Sequence, residues 1–485
     1  MDVDRTLQPF RLGRLARVAL LAALGLLALL ALPSAAPAQP GLVTGFSSTY
    51  YQDGNAAGRA AWLNRTVDTG AGIVRLGVEW PAIVGSQRPS DPTNPGSASY
   101  NFSLIDPAVR DARARGLAVL LTVNHAPDWA EGPGRPANAM PHTWKPNPSD
   151  LANFSQAVAL RYRGDFDPDG SGPASPLPAA QALQVWNEPN QEFFLSPAYA
   201  ADGTTPFSPA HYRLMLNASY NAVKAVNPQM LVVTGGTSPY GDPPGGPYPD
   251  PNNRRIRPVE FWQQVLSGQT LFDVFAHQPI NNTGGGPPQS APDPYDATTP
   301  DLGRVVNVLR AAETAGTTLP GSHPVWVTEF WWDSNPPNSV GANLATQARW
   351  IEQSLYLFWK AGASTAIDFQ IGDTNDLLNV RAGFQSGPYF IDGTAKPSLT
   401  AFRFPFVTER IDTRTLNAWG WAPVGGTLRI QQQQGSKWVT IKQLQVSKGA
   451  VFLTDLRLSG NKPFPVSALR ATVGASQSLV WQQKI

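Results

Sequence analysis

Between residues 41 and about 406 the chain alternates eight short apolar or β-branched runs with longer segments of helical periodicity. No other feature restricts the fold as much. The runs are residues 42–47, 72–78, 118–124, 182–187, 230–235, 272–277, 325–329 and 364–370. Several are almost continuously apolar, as strands must be when helices cover both faces of a parallel sheet. Among the intervening segments, Ser208-Pro209 reads as an N-cap with proline at the first helical position, followed by Tyr212, Leu216, Tyr220 and Val223. Ile351, Leu355 and Phe358 recur at helical spacing in residues 343–359, before Gly362. Eight strand–helix pairs in one domain predict an α/β fold, a (β/α)8 TIM barrel over residues 39–408. A minimal barrel needs about 250 residues, so this one carries insertions. They follow the second, third, fifth, sixth and seventh strands, as Pro- and Gly-rich stretches at 86–99, 127–147, 239–251, 279–300 and 333–341. Loops in those places build the active face of such a barrel.

The ends of the chain read differently. Arg5, Arg11, Arg14 and Arg17 precede an apolar run over residues 18–32, and Ala36-Pro37-Ala38 follows. Positive charge, a short apolar stretch and small residues make an export signal, too short to span a bilayer, with cleavage expected after Ala38. The mature protein is expected to be secreted or extracytoplasmic, with no membrane attachment. After about Thr408 the helical periodicity gives way to short alternating segments such as Thr427-Leu428-Arg429-Ile430, which predict a small β-sandwich-like domain over 409–485. Phe402, Phe404 and Phe406 stand at the junction, and Trp419, Trp421, Trp438 and Trp481 are read as core more readily than as a sugar-binding face.

Charge and cysteine content exclude whole classes of function. The excess of 37 basic over 35 acidic residues disappears once the four arginines and two aspartates ahead of Ala38 are removed, leaving 33 of each. A neutral surface without basic runs offers nothing to nucleic acid or an anionic membrane. With no cysteine there are no disulfides, thiolate metal sites or thiol nucleophiles. Fifteen tryptophans are many, and flat aromatic faces suit the apolar faces of sugar rings.

Two glutamates stand where chemistry is expected. The fourth strand ends in Trp186-Asn187-Glu188-Pro189 and the seventh in Val327-Thr328-Glu329-Phe330-Trp331-Trp332, so both carboxyl groups sit at the C-terminal mouth of the barrel. Breaking a glycosidic bond needs such a pair, one group to protonate the departing oxygen and one to capture the oxocarbenium-like centre. On these motifs the chain resembles clan A of the retaining glycoside hydrolases, with Asn187-Glu188-Pro189 matching the acid/base motif and Thr328-Glu329 the nucleophile motif. His125-Ala126-Pro127-Asp128-Trp129 further resembles families 39 and 5. The resemblance implies a carbohydrate substrate, double displacement with Glu188 as acid/base and Glu329 as nucleophile, and no cofactor or metal. It also implies that Arg75 keeps the nucleophile ionised, that Asn187 binds the sugar 2-hydroxyl, and that His277 lies close to the nucleophile. Trp129, Trp331 and Trp332 are expected to contact substrate.

The eighth strand departs from the clan pattern. It reads Ile367-Asp368-Phe369-Gln370 where many members carry a tryptophan, which leaves Phe369 or Gln370 to line that part of the pocket. Glu79 and Asp333 also fall near strand ends and are read as loop hydrogen-bond acceptors. Asp165, Asp167 and Asp169 imitate the start of a calcium loop, but Pro176 occupies the place of its closing glutamate, so a polar turn is expected. The same glutamate pair would serve a transglycosylase. A noncatalytic carbohydrate-binding or envelope protein is the rival reading, and it has no need of an acid and a nucleophile together.

Overall fold

The computed structural model describes residues 41–485 except 169, 171–174, 244, 247, 249, 251–252, 282–285, 292, 375–383, 458–462 and 484–485. The expected export segment, its expected cleavage site and Asp169 lie outside the described residues. Eight parallel strands form the barrel wall: β1 (Val43–Ser47), β2 (Ile73–Glu79), β3 (Ala118–Asn124), β4 (Ala182–Val185), β5 (Leu231–Thr234), β6 (Phe275–His277), β7 (Val325–Phe330) and β8 (Ala363–Phe369). Their order runs β5-β4-β3-β2-β1-β8-β7-β6. Parallel bridges Val233–Val274 and Thr237–His277 join β5 to β6 and complete the circle.

Each strand is followed by a helix: α1 (Ala56–Asp68), α2 (Ile105–Ala114), α3 (Pro148–Arg161), α4 (Ser208–Val226), α5 (Pro258–Val265), α6 (Leu302–Ala315), α7 (Leu344–Lys360) and α8 (Ser398–Arg403). Local sequence sets their ends. The side chain of Asn147 accepts from the amides of Ser149 and Asp150 ahead of α3, and that of Asn343 accepts from Thr346 N ahead of α7. At α4 the expected cap is displaced by one residue. Phe207 is the N-cap and Ser208 is already the first helical residue, with its hydroxyl buried and unpartnered, so no side chain caps this helix and Pro209 stands at its second position.

Strand alternation sorts the barrel interior into layers. The lower layer is apolar, with Ile73, Leu120, Ala182, Ala276, Trp326 and Ile367 packed together with Val233 and Val274. Two residues further along the same strands stand Arg75, Thr122, Gln184, Gln278, Thr328 and Phe369, five of which are polar. One step along each strand thus exchanges a filled core for a polar floor, and the candidate site rests on that floor.

From Phe406 onward the chain is all β. Strands β9 (Phe406–Arg410), β10 (Thr415–Trp421) and β13 (Val451–Arg457) form one antiparallel sheet, and β11 (Gly426–Gln434), β12 (Lys437–Val446) and β14 (Ala468–Val473) belong to another. The first sheet packs on α7, where Trp419 meets Tyr356 and Trp359 at ring distances of 5.4 and 5.8 Å. Phe402 meets Phe46 edge-on at 4.8 Å. Trp419, Trp421 and Trp481 are buried, whereas Trp438 is half-buried beneath the Arg470 guanidinium.

Candidate active site

Arg75 organises the polar floor. Its Nε donates to Thr122 Oγ1 at 2.9 Å and lies 3.2 Å from Gln184 Oε1, Nη1 donates to Glu329 Oε2 at 2.9 Å, and Nη2 donates to Asn187 Oδ1 at 2.7 Å. A planar guanidinium with five N–H groups can hold four side chains from three strands at once, as an ammonium cannot. Asn187 Oδ1 also accepts from Gln278 Nε2 at 2.8 Å, so its amide oxygen is fully engaged and its NH2 group is left to face the cavity. Gln184 Nε2 in turn donates to Thr234 O and Thr328 Oγ1.

The end of β4 is bent sharply. Trp186 has φ 74° and Glu188 φ 41°, left-handed conformations that cost an L-residue roughly 1–3 kcal/mol each. Three bonds hold the bend: Trp186 N to Val123 O at 2.9 Å, the Trp186 indole N–H to Phe194 O at 2.9 Å, and Glu188 N to Gly236 O at 3.0 Å. Gly236 has no room for a side chain, since a Cβ there would stand 2.5 Å from Thr328 Oγ1. The bend turns Asn187 onto Arg75 and sends Glu188 into the cavity.

Glu188 and Glu329 face a common cavity of about 1080 Å³. Burial raises the pKa of both, and they differ in their partners. Glu329 bonds directly to Arg75, which opposes the rise. Glu188 is pushed further up, by burial first and then by the charge of Glu329. Gln191 Nε2 donates to Glu188 Oε2 at 2.6 Å, which leaves Oε1 as the oxygen free to carry a proton. The arrangement can hold one protonated and one ionised carboxyl group at the same pH, as acid–base chemistry at a single centre requires.

The remaining expected residues divide. Trp331 and Trp332 line the cavity, as do Phe369 and Gln370, with Trp331, Phe369 and Phe384 forming an aromatic wall. Glu79 and Asp333 line it too. Asp333 accepts from Gln385 N and Asn338 Nδ2, each at 2.9 Å, and Glu79 pairs with His125 Nδ1 at 2.8 Å.

Two expectations need correction. His277 is fully buried behind the wall, where its Nε2 donates to Ala297 O and its Nδ1 accepts from the Thr237 hydroxyl, both at 2.7 Å. Burial pushes its imidazole down to about 4, so it stays neutral as a structural clip. The reason is alternation: Ala276 faces inward, so His277 faces outward and Gln278 inward again. Trp129 stands edge-on to Trp80 at 5.5 Å beneath Arg88 and does not line the cavity.

Gln191, Gln278 and Tyr240 reach the site without having been singled out from the sequence. Tyr240 lines the cavity, and its hydroxyl pKa is raised by burial and then by Glu188. The period-two rule applied to β6 would have found Gln278; nothing local marks Tyr240. Asp165 pairs with Arg163, and among the described residues no group of three His, Cys, Asp or Glu side chains is arranged to hold a metal.

Comparison with solved structures adds a second line of observation. A family 39 glycoside hydrolase from the gut symbiont Bacteroides cellulosilyticus WH2 superimposes with a TM-score of 0.52 at 16% identity, over 88% of this chain and 83% of that one. A monomeric β-xylosidase from Caulobacter crescentus CB15 gives 0.51 at 16% identity, over 87% and 94%. The likeness is one of fold. No protein-family model and no curated protein matches the chain. Among the described residues no helix is long and apolar enough to cross a membrane.

Proposed function

We propose that the chain is a secreted retaining glycoside hydrolase of clan A acting on an oligo- or polysaccharide. One observation carries the reading: Arg75 bonds to Glu329 and not to Glu188, so two carboxyl groups in one cavity hold their protons unequally. Glu329, the more easily ionised, attacks the anomeric carbon. Glu188 passes its proton to the glycosidic oxygen and the leaving alcohol departs, giving a covalent glycosyl-enzyme. Glu188, now a carboxylate, takes a proton from water as that water displaces Glu329 and restores the configuration. The NH2 of Asn187 is placed to bind a sugar hydroxyl beside the reacting carbon. Neither step calls for a cofactor. The cationic start of the chain and its short apolar run support export, which N-terminal sequencing of secreted protein beginning at Gln39 would verify.

The test uses the two glutamates separately. Glu329→Ala should abolish glycosyl transfer from every substrate. Glu188→Ala should still release a good phenolate once and then stall. Azide should rescue both with opposite outcomes, a glycosyl azide of retained configuration from Glu188→Ala and of inverted configuration from Glu329→Ala. An inverted product from the wild type, or near-normal activity in both variants, would refute these roles. Adding sugar acceptors to the wild-type reaction separates hydrolysis from transglycosylation.

A further inference from the structure

Resting on the proposed glycosidase reading, we infer that the cavity selects neutral sugar residues and rejects those bearing a carboxylate or sulfate. The cavity carries four carboxyl groups, on Glu79, Glu188, Glu329 and Asp333, against one guanidinium among the described residues, that of Arg75. Arg75 is not available to an anionic substrate. Its side chain is 7% exposed, and all three of its nitrogens are engaged by Glu329, Asn187, Thr122 and Gln184.

Among the described residues, four nearby cations are held by partners and stay off the cavity wall. Arg254, Arg255 and Arg257 follow β5 and are held by Glu192, Asp242 and Glu260 at 2.7, 2.6 and 2.5 Å. Lys396 is fully buried against Asp373, Ser334 Oγ and the Gln385 carbonyl. None of the four lines the cavity.

Recognition of a sugar carboxylate or sulfate calls for a charged fork or ammonium facing it, and a carboxylate facing it costs affinity. Glu79 is such a carboxylate. Its side chain is half exposed, held from one side by His125 Nδ1, with Gln52 and Asn124 beside it on the cavity wall. A carboxylate with free lone pairs accepts from sugar hydroxyls, which are donors in every neutral pentose or hexose. Beyond β1, at the ends of β8 and β7, the wall is aromatic, in Trp331, Phe369 and Phe384, and suited to the C–H face of an uncharged ring. A hydroxyl acceptor and an apolar wall lining one cavity suit an uncharged ring.

The experiment compares matched aryl glycosides in both anomers: 4-nitrophenyl xyloside and glucoside against 4-nitrophenyl glucuronide, with the mature wild-type protein and Glu79→Gln. The inference expects kcat/KM for the better neutral substrate to exceed that for the glucuronide by at least about 100-fold. In Glu79→Gln the ratio should narrow by about tenfold, because activity on the neutral substrate drops while the repulsion of the uronide is relieved. A glucuronide cleaved as well as the neutral glycosides would overturn the inference and leave the glycosidase reading intact. So would an unchanged ratio in Glu79→Gln. If no glycoside is turned over, calorimetric titration of neutral xylo- and gluco-oligosaccharides against oligogalacturonate still decides. Binding of the neutral ligands alone supports the selection even as the glycosidase reading falls, and preference for oligogalacturonate overturns it.

Discussion

The mouth of the barrel and the seam between its wall and its helices both bury carboxyl groups, but surround them differently. At the mouth, Glu329 is bonded to a guanidinium and Glu188 is held by Gln191. In the seam, Asp368 on β8 points outward between Ile367 and Phe369, is fully buried, and has no hydrogen-bond partner on either oxygen. Glu352 on α7, also buried, receives the Phe406 amide at 3.4 Å. Burial pushes both seam carboxyls well above their ordinary values. Desolvation alone therefore makes a neutral acid, and it takes a directly bonded cation to bring a buried carboxyl back toward ionisation. The mouth uses both regimes side by side, and the seam only the first.

Removing the cation is the most severe way to erase that contrast. Arg75→Met should raise the pKa of Glu329 toward the condition of the seam, so the acidic limb of the kcat/KM profile moves to higher pH. With the Asn187 anchor lost as well, kcat/KM should fall by about 10³-fold. Arg75→Lys should recover part of the limb position and little of the rate, because an ammonium cannot reach Glu329 and Asn187 together. A wild-type acidic limb in Arg75→Met would show that the ion pair does not govern ionisation.

A milder change acts on Glu188. The Gln191 amide favours the charged carboxylate, so Gln191→Leu should raise the pKa of Glu188 and carry the alkaline limb to higher pH. It also frees the acid proton to settle on either oxygen, and kcat for poor leaving groups should drop about tenfold while good phenolates are spared in the first step. A limb that stays in place would reduce Gln191 to packing.

The seam supplies the smallest effect and a different observable. With its folded-state pKa above its unfolded value, Glu352 keeps a proton in the native state that the unfolded chain releases above about pH 4.3. Stability contributed by that proton is present at low pH and is lost as pH rises toward the folded value. Glu352→Gln should therefore raise Tm at pH 8 by roughly 1–2 °C, leave Tm at pH 4 nearly unchanged, and keep kcat/KM within about twofold. An equal shift at both pH values would mean packing, not protonation, is responsible.

All eight barrel strands were legible because buried parallel strands are written as apolar runs, and each was located to within a few residues. Glu188, Glu329, Arg75 and Asn187 converge on one cavity because strand ends are read together with the strands. What escaped depends on direction and distance in space. His277 sits at the right strand end on the wrong face, and the inward Ala276 beside it was the available sign. Tyr240 and Gln191 come from irregular loops with no periodicity to locate their side chains. Trp129 belongs to a motif that identifies a loop without saying which side of that loop meets the cavity. Ser208 was misread as a cap because Ser-Pro fits either of two adjacent positions.

The join between β5 and β6 gives the barrel a grain. Elsewhere neighbouring strands share ladders of three or more residue pairs, but here there are two isolated bridges, with the Thr234 hydroxyl standing in as acceptor for the Ala276 amide at 2.8 Å. Amide hydrogen exchange should accordingly be fastest, among the wall strands, at Val274 and Ala276, where no continuous ladder holds the pair of strands together. The His277 clip to Thr237 and Ala297 lies at the end of that join. A histidine with no part in the chemistry thus acts as the clasp of a hoop, and loosening it would let the loops that follow β5 and β6 drift apart before any other part of the wall gave way.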